Sequence, residues 1–329
     1  MKTKWLLLTI CLFITPALLS QEIATPSSDN RIKVAVLLSD GVTLIDFAGP
    51  MEVFHLAGMK VFTIGETGEP IQTACKMRIV PGFNLKSSPE PDIIVIPGGL
   101  ATTPPMIEWV KNQSQKSDAV LSVCTGASFL AEAGMLDNLQ ATTYAPHLDH
   151  LQMMAPKAKI VYDQRVVDNG KIITAGGLSA GIDGAFHVVE KMMGKGRASE
   201  VAVNMEYNWN PQSDYVRPQL ADLQSKIGFV IDEVIHPRLK KRTLAYEGDR
   251  SFWKFEYEVE PQKPLKAFAG QLAESLNQWG WRKSTGDLLK SQWGYQDDKK
   301  RNWNGKITLS EISGKTGWVL LTIDVKLES

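Results

Sequence analysis

The residue of this chain best placed to do chemistry is a cysteine at the point where an apolar strand breaks into a helix. In AVLSVCTGASFLAEAG, Ala119 to Val123 reads as a short buried strand, Gly126 relieves crowding just past the turn, and Ala127 to Ala133 continues in helix formers. Cys124 stands at the junction. The positive end of the helix dipole and unpaired backbone N–H groups there favour the thiolate, which predicts an unusually reactive sulfur. A free cysteine in an apolar strand is ordinarily a small core hydrophobe. Here Cys-Thr-Gly-Ala-Ser interrupts the apolar run where the strand should end, which favours the chemical reading. Upstream, PDIIVIPGG repeats the arrangement, and Gly98 and Gly99 end it where backbone N–H groups could hold a developing negative charge.

A carboxylate occupies an unexpected place soon after the first strand. In GVTLIDFAGPMEVF, Asp46 is surrounded by apolar residues. A solvated surface aspartate or a local helix cap is the plain alternative. Among apolar groups its pKa would rise, which suits a proton donor or acceptor beside a thiolate. His147, Asp149 and His150 form only a partial metal set, and a solvated helix face is the simpler reading. No phosphate loop or Cys-x-x-Cys pair is present, and no metal or cofactor is expected.

These residues need a scaffold. Ile32 to Leu38, Lys60 to Ile64 and Ile93 to Ile96 read as strands, and Thr43 to Ala57 and Pro105 to Gln113 as helices. After the cysteine unit come a short strand at Ala141 to Tyr144, a helix at His147 to Met154 and a strand at Lys159 to Tyr162. A hairpin around Asn169-Gly170 and a closing helix at Leu178 to Met193 follow. Alternation of this kind predicts a mainly parallel sheet covered on both faces, with its site at the carboxyl ends of the strands. Cys124 and Gly98-Gly99 fall at such ends.

Residues 211–247, with Pro211, Pro218, Pro237 and Lys240-Lys241-Arg242, read as a connector. Residues 248–329 read as a small α+β domain: a strand at Phe252 to Val259, a helix at Pro264 to Trp279, and strands near Ser291 to Tyr295, Lys306 to Ser310 and Trp318 to Val325. Six of the nine tryptophans fall in it, which core and interface packing explains.

The 329 residues allow two domains, and 36 basic against 36 acidic residues leave no basic field to attract nucleic acid. Residues 1–20 have the layout of a signal peptide: Lys2 and Lys4, the apolar run Trp5 to Leu19, then Ser20. The run is shorter than the roughly 20 residues of a spanning helix, and Pro16 interrupts it. Cleavage near Ser20, a secreted or periplasmic location and no stable membrane insertion after cleavage are therefore expected, with 21–30 as a polar linker. Cys75 and Cys124 remain after cleavage. A reactive Cys124 argues against a permanent disulfide, and Cys75 reads as a structural thiol.

LIDFAGPMEVF, DIIVIPGG, SVCTGASFLAEAGML, ATTY and GGLSAGIDGAFHVVE occur in the order found in the ThiJ/PfpI family of the glutamine amidotransferase-like superfamily. Over residues 31–210 the chain most resembles its isonitrile hydratase branch. The resemblance implies an α/β fold, a flavodoxin-like parallel-sheet sandwich with the nucleophile on a tight elbow, often a homodimer. It implies Cys124 as nucleophile, Asp46 as its acidic partner, Thr125 as the neighbouring hydroxyl, and Gly98 and Gly99 as a backbone pocket, with Asp183 structural. One departure stands out. Tyr144 follows Ala141-Thr142-Thr143, where hydratase-like relatives usually carry a histidine. A tyrosine can donate a hydrogen bond but is no base near neutral pH without a large shift, which weakens the transfer of a Cys-His mechanism.

The resulting expectation is an exported cysteine-dependent hydratase or hydrolase acting on a small electrophilic carbon, with isonitrile-to-formamide hydration as the leading example. A ligand- or oxidation-sensing domain without turnover is the alternative, and a glyoxalase- or deglycase-like activity lies between the two. Related regulators add a helix-turn-helix module, which the strand-rich tail does not resemble. The expected partners are a small molecule and a second copy of the chain.

Overall fold

A computed structural model of the protein describes residues 30–213, 215–236 and 239–328. The expected signal peptide and all but the last residue of the linker lie outside the described residues. The chain opens with β1 (Lys33–Leu37), α1 (Leu44–Leu56) and β2 (Lys60–Gly65), makes a ribbon of β3 (Ile71–Gln72) and β4 (Arg78–Ile79), and returns through β5 (Phe83–Asn84). Next come β6 (Ile93–Ile96), α2 (Pro104–Lys116), β7 (Ala119–Val123) and α3 (Gly126–Glu132). The paired β8 (Gln140–Ala141) and β9 (Lys159–Ile160) flank α4 (Leu148–Met154) in sequence. The hairpin of β10 (Val166–Asp168) and β11 (Ile172–Ala175) leads into α5 (Ser179–Met193) and α6 (Lys195–Asn204).

Seven strands form one sheet in the order β10-β11-β7-β6-β1-β2-β5, parallel except for β10. Its central strands are apolar at nearly every position because both faces are covered. Val34, Val36, Val95 and Leu121 pack with Phe54 of α1, Phe186 of α5 and Val201 of α6. On the other face Ala35, Leu37, Ile94 and Val120 pack with Trp109 of α2, Phe129 of α3 and Leu151 of α4. This is the expected flavodoxin-like sandwich. The strand expected at Ala141 to Tyr144 is shorter, because Thr142 N–H turns to the Thr174 hydroxyl at 2.9 Å instead of extending the ladder.

Residues 211–247 are more than a connector. There α7 (Ala221–Gln224) and α8 (Ile227–Val234) bury Ala221, Ile227, Val230 and Ile231 in the core of the C-terminal domain, and β12 (Lys240–Gly248) is an edge strand of its sheet. After them come β13 (Phe252–Glu260), α9 (Leu265–Gln278), β14 (Arg282–Gly286), β15 (Lys290–Gln296), β16 (Asn302–Glu311) and β17 (Val319–Leu327). The six strands pair antiparallel in the order β12-β13-β17-β16-β15-β14. Alternate residues such as Phe255, Tyr257, Leu321 and Ile323 share a core with Phe268, Leu272 and Leu276 of α9. Trp253, Trp281, Trp293 and Trp303 are buried in that core. Both edge strands carry a register shift, between Thr243 and Ala245 in β12 and between Lys283 and Thr285 in β14. Among the described residues no helix is long and apolar enough to cross a membrane.

Candidate active site

Cys124 holds a backbone φ of 56°, in the left-handed region that typically costs a residue with a side chain about 1–3 kcal/mol. Its neighbours impose the conformation. The Cys124 N–H donates to the carbonyls of Ala175 and Gly176, each at 3.1 Å, and its carbonyl accepts from the Thr143 hydroxyl at 2.6 Å. The turn closes tightly over β6 because Gly126 has no side chain. A Cβ there would lie 2.1 Å from the Ile96 carbonyl oxygen.

Asp46, in the first turn of α1, is 0% exposed. Its Oδ1 accepts the Leu178 N–H at 3.0 Å. Its Oδ2 has no well-formed hydrogen bond, although the Cys124 thiol and the Gly98 N–H lie close enough to temper its charge. Gly98 shows how near these groups are: a Cβ on it would sit 2.7 Å from Asp46 Oδ2 and 3.0 Å from Cys124 Sγ. Gly177 bounds the other side, where a Cβ would lie 2.6 Å from Tyr144 Cδ2 and 3.3 Å from Cys124 Sγ. The fold thus gathers Cys124, Asp46, Gly98 and Tyr144, and adds Gly177 and Leu178, which no residue-type signal marks.

Thr125 and Gly99 are joined differently from the expectation. The Gly99 N–H donates to Thr125 Oγ1 at 2.9 Å, and the Gly98 N–H is turned to the Asp46 carboxylate. Gly99 itself has φ 77°, and a Cβ on it would meet the Gly41 carbonyl oxygen at 2.5 Å. The Gly99 amide is thus engaged within the protein, so the two glycines form no free pair of donors for a developing charge. The Thr125 N–H and hydroxyl face the sulfur instead.

The electrostatics also differ from the expectation of a stabilised thiolate. Burial, and then the charge of Asp46, push the Cys124 thiol up to about 12, outweighing the Thr125 contacts. The helix after it is only seven residues long. Burial also raises Asp46, opposed by the Leu178 N–H, the thiol and the Gly98 N–H. As the stronger acid, Asp46 ionises first, leaving a carboxylate beside a thiol that keeps its proton.

Cys75, read from the sequence as a structural thiol, lies at the surface. The Thr73 hydroxyl at 3.3 Å lowers its pKa. Iodoacetamide at pH 8 is therefore expected to alkylate Cys75 at least ~10-fold faster than Cys124, because the thiolate is the reacting form. Peptide mapping over a time course reads this. Faster labelling of Cys124 would mean that the resting site holds a thiolate.

Asp183 pairs with Arg165 and accepts the Tyr207 hydroxyl at 2.9 Å, a structural arrangement. The His147 and His150 rings meet edge-on with centroids 6.3 Å apart, while Asp149 accepts from the Tyr162 hydroxyl. Among the described residues no group of three or more His, Cys, Asp or Glu side chains could hold a metal ion.

The site and its scaffold have recognisable relatives. Over 221 residues the chain is 29% identical to the isonitrile hydratase of Pseudomonas putida, an alignment covering 64% of this chain and 93% of that protein. Over 179 residues it is 27% identical to the Parkinson disease protein 7 homolog of Danio rerio, covering 51% and 94%. The crystal structure of Drosophila melanogaster DJ-1beta shares the fold, with a TM-score of 0.51 at 24% identity over 54% of this chain and 100% of that one. Residues 32–191, which hold both Asp46 and the Cys124 elbow, match the DJ-1/PfpI family, and through this domain the chain belongs to that family.

Proposed function

We propose that this protein is a cysteine-dependent hydratase of small electrophilic carbon, with an isonitrile as the leading substrate. The observation that carries the reading is the fully buried Asp46, whose unpartnered Oδ2 faces the space beside a thiol that burial keeps protonated. A thiol next to a carboxylate suits a nucleophile that loses its proton only as it attacks. Asp46 takes the thiol proton and returns it to the isonitrile carbon as the C–S bond forms, giving a thioimidate. Water then adds to that carbon, with Asp46 accepting its proton. The remaining hydroxyl proton of the adduct passes to the nitrogen as the C–S bond breaks, the sulfur regains the proton held by Asp46, and an N-substituted formamide leaves. The net change is addition of one water.

Support for this substrate comes from the isonitrile hydratase of Pseudomonas putida, to which the chain is similar. Oxidation sensing has less support, because the thiolate is the form that attacks a peroxide oxygen and this sulfur is held as a thiol. The layout of residues 1–20 supports export to a secreted or periplasmic location.

The test is a screen of isonitriles, nitriles, amides and α-oxoaldehydes against the purified protein and its Cys124→Ser variant. Formamide production by the parent should fall by about 10³-fold or more in the variant. Activity that survives Cys124→Ser would remove the sulfur from the mechanism.

A further inference from the structure

Leu178 holds φ 56° and ψ −112°, a conformation that leucine rarely adopts. Such a residue persists only where its surroundings dictate it, and such residues cluster at functional sites. Its N–H donates to Asp46 Oδ1 at 3.0 Å, while its side chain is 45% exposed. Burial of that side chain therefore offsets little of the strain. A glycine would supply the same N–H without strain, so a leucine here implies work for the side chain.

The surroundings indicate what that work is. Gly177, the preceding residue, lies against both Cys124 Sγ and the Tyr144 ring. Ile182 lies in the first turn of α5, the helix that Leu178 immediately precedes. Ile182 and Ile45 both approach Gly49, where a Cβ would lie 2.8 Å from Ile182 Cγ1 and 3.8 Å from Ile45 Cγ1. Ile45, next to Asp46 in sequence, is 41% exposed. The exposed Leu178 side chain thus follows directly on the residue that bounds the thiol, and Ile182 and Ile45 supply further hydrocarbon where α5 meets α1, whereas Asp46 and Thr125 supply the polar groups.

We infer that Leu178 is the specificity-determining residue of the site: its strained backbone holds Asp46, and its side chain packs on the substituent next to the reacting carbon. The substrate class is then small electrophiles bearing a hydrocarbon substituent, in preference to charged or carbohydrate-like ones. This deepens the hydratase reading and rests on it. Leu178→Ala removes three carbons from the contact, which is expected to cost roughly tenfold in discrimination.

Two readouts separate this inference from the hydratase reading. In a Cys75→Ser background at pH 9, alkylation of Cys124 is timed with iodoacetanilide, which carries a phenyl group, and with iodoacetamide, which does not. In parallel, kcat/KM is measured for cyclohexyl and methyl isocyanide. Leu178→Ala and Leu178→Gln should each lower the ratio of the two alkylation rates about fivefold or more and leave the iodoacetamide rate within about twofold, since both keep the N–H to Asp46. For cyclohexyl isocyanide kcat/KM should fall about tenfold, mainly through KM, with methyl isocyanide little changed. An unchanged alkylation ratio in the folded variants overturns the inference. Equal slowing with both reagents also overturns it, because Leu178 would then act only by holding Asp46. A parent protein that turns over no isonitrile while the ratio falls as expected removes the hydratase reading and leaves the hydrocarbon rim in place.

Discussion

Gly126→Ala is expected to destabilise the protein by roughly 3 kcal/mol or more, because its Cβ would be forced to 2.1 Å from the Ile96 carbonyl oxygen. That atom is backbone at the end of a central strand, so no side-chain rotation can make room. Either β6 moves away from β7 or the elbow opens, and both displace Cys124. The thermal midpoint of the α/β domain should fall by about 6–12 °C, as expected for a domain of roughly 150–250 residues. Gly134→Ala is the control. That glycine has φ 68° but nothing within 4 Å of a Cβ, so it carries only the backbone penalty, of order 1 kcal/mol. A smaller loss at Gly126 than at Gly134 would contradict the close approach of the elbow to β6.

Asp46→Asn is expected to lower turnover by about two to four orders of magnitude in a protein that remains folded. The amide oxygen can still accept the Leu178 N–H, but the group can no longer take the proton of the attacking thiol. Stability and labelling should move the opposite way. Because burial raises the pKa of Asp46 in the folded state, folding favours its proton, and its contribution is lost as pH rises through the folded pKa. The variant should therefore melt above the parent at pH 7–8, with the difference closing below the ordinary carboxyl value of 3.8. Removing the carboxylate charge also removes a cause that, after burial, pushes the Cys124 thiol up, so its alkylation should accelerate. Full turnover in Asp46→Asn would take Asp46 out of the mechanism.

Much of the α/β domain is legible in the sequence because its strands are buried on both faces. KVAVL, IIVI and AVLSV read as strands for that reason, and their ends mark the site. Cys124, Asp46 and Gly98 carry chemical signals through residue type and local context. Leu178 does not, since it holds Asp46 with a backbone N–H from 132 residues away, and a backbone donor leaves no mark on composition. The state of Cys124 is equally hidden. The helix-start argument favours a thiolate, but packing leaves Cys124 only 7% exposed and sets a carboxylate beside its sulfur, and desolvation then wins. In residues 211–247 the apolar run IGFVIDEV is overshadowed by three prolines and a basic triplet, while KKRTLAYEG, an edge strand exposed at most positions, shows no clean alternation.

The register shifts at the two rims of the C-terminal sheet bear on how the protein behaves when crowded. An open sheet of six strands ends in two rows of backbone groups with no strand beyond them, and such rows can template growth into aggregates. Here the first rim begins Lys240-Lys241-Arg242 and is bulged at Thr243/Ala245, and the last begins Arg282-Lys283 and is bulged at Lys283/Thr285. Each bulge twists the strand and interrupts the hydrogen-bond spacing that an incoming strand would need, and like charges repel a second copy approaching rim to rim. The domain can thus carry a six-stranded open sheet into concentrated solution with borders poorly suited to act as seeds.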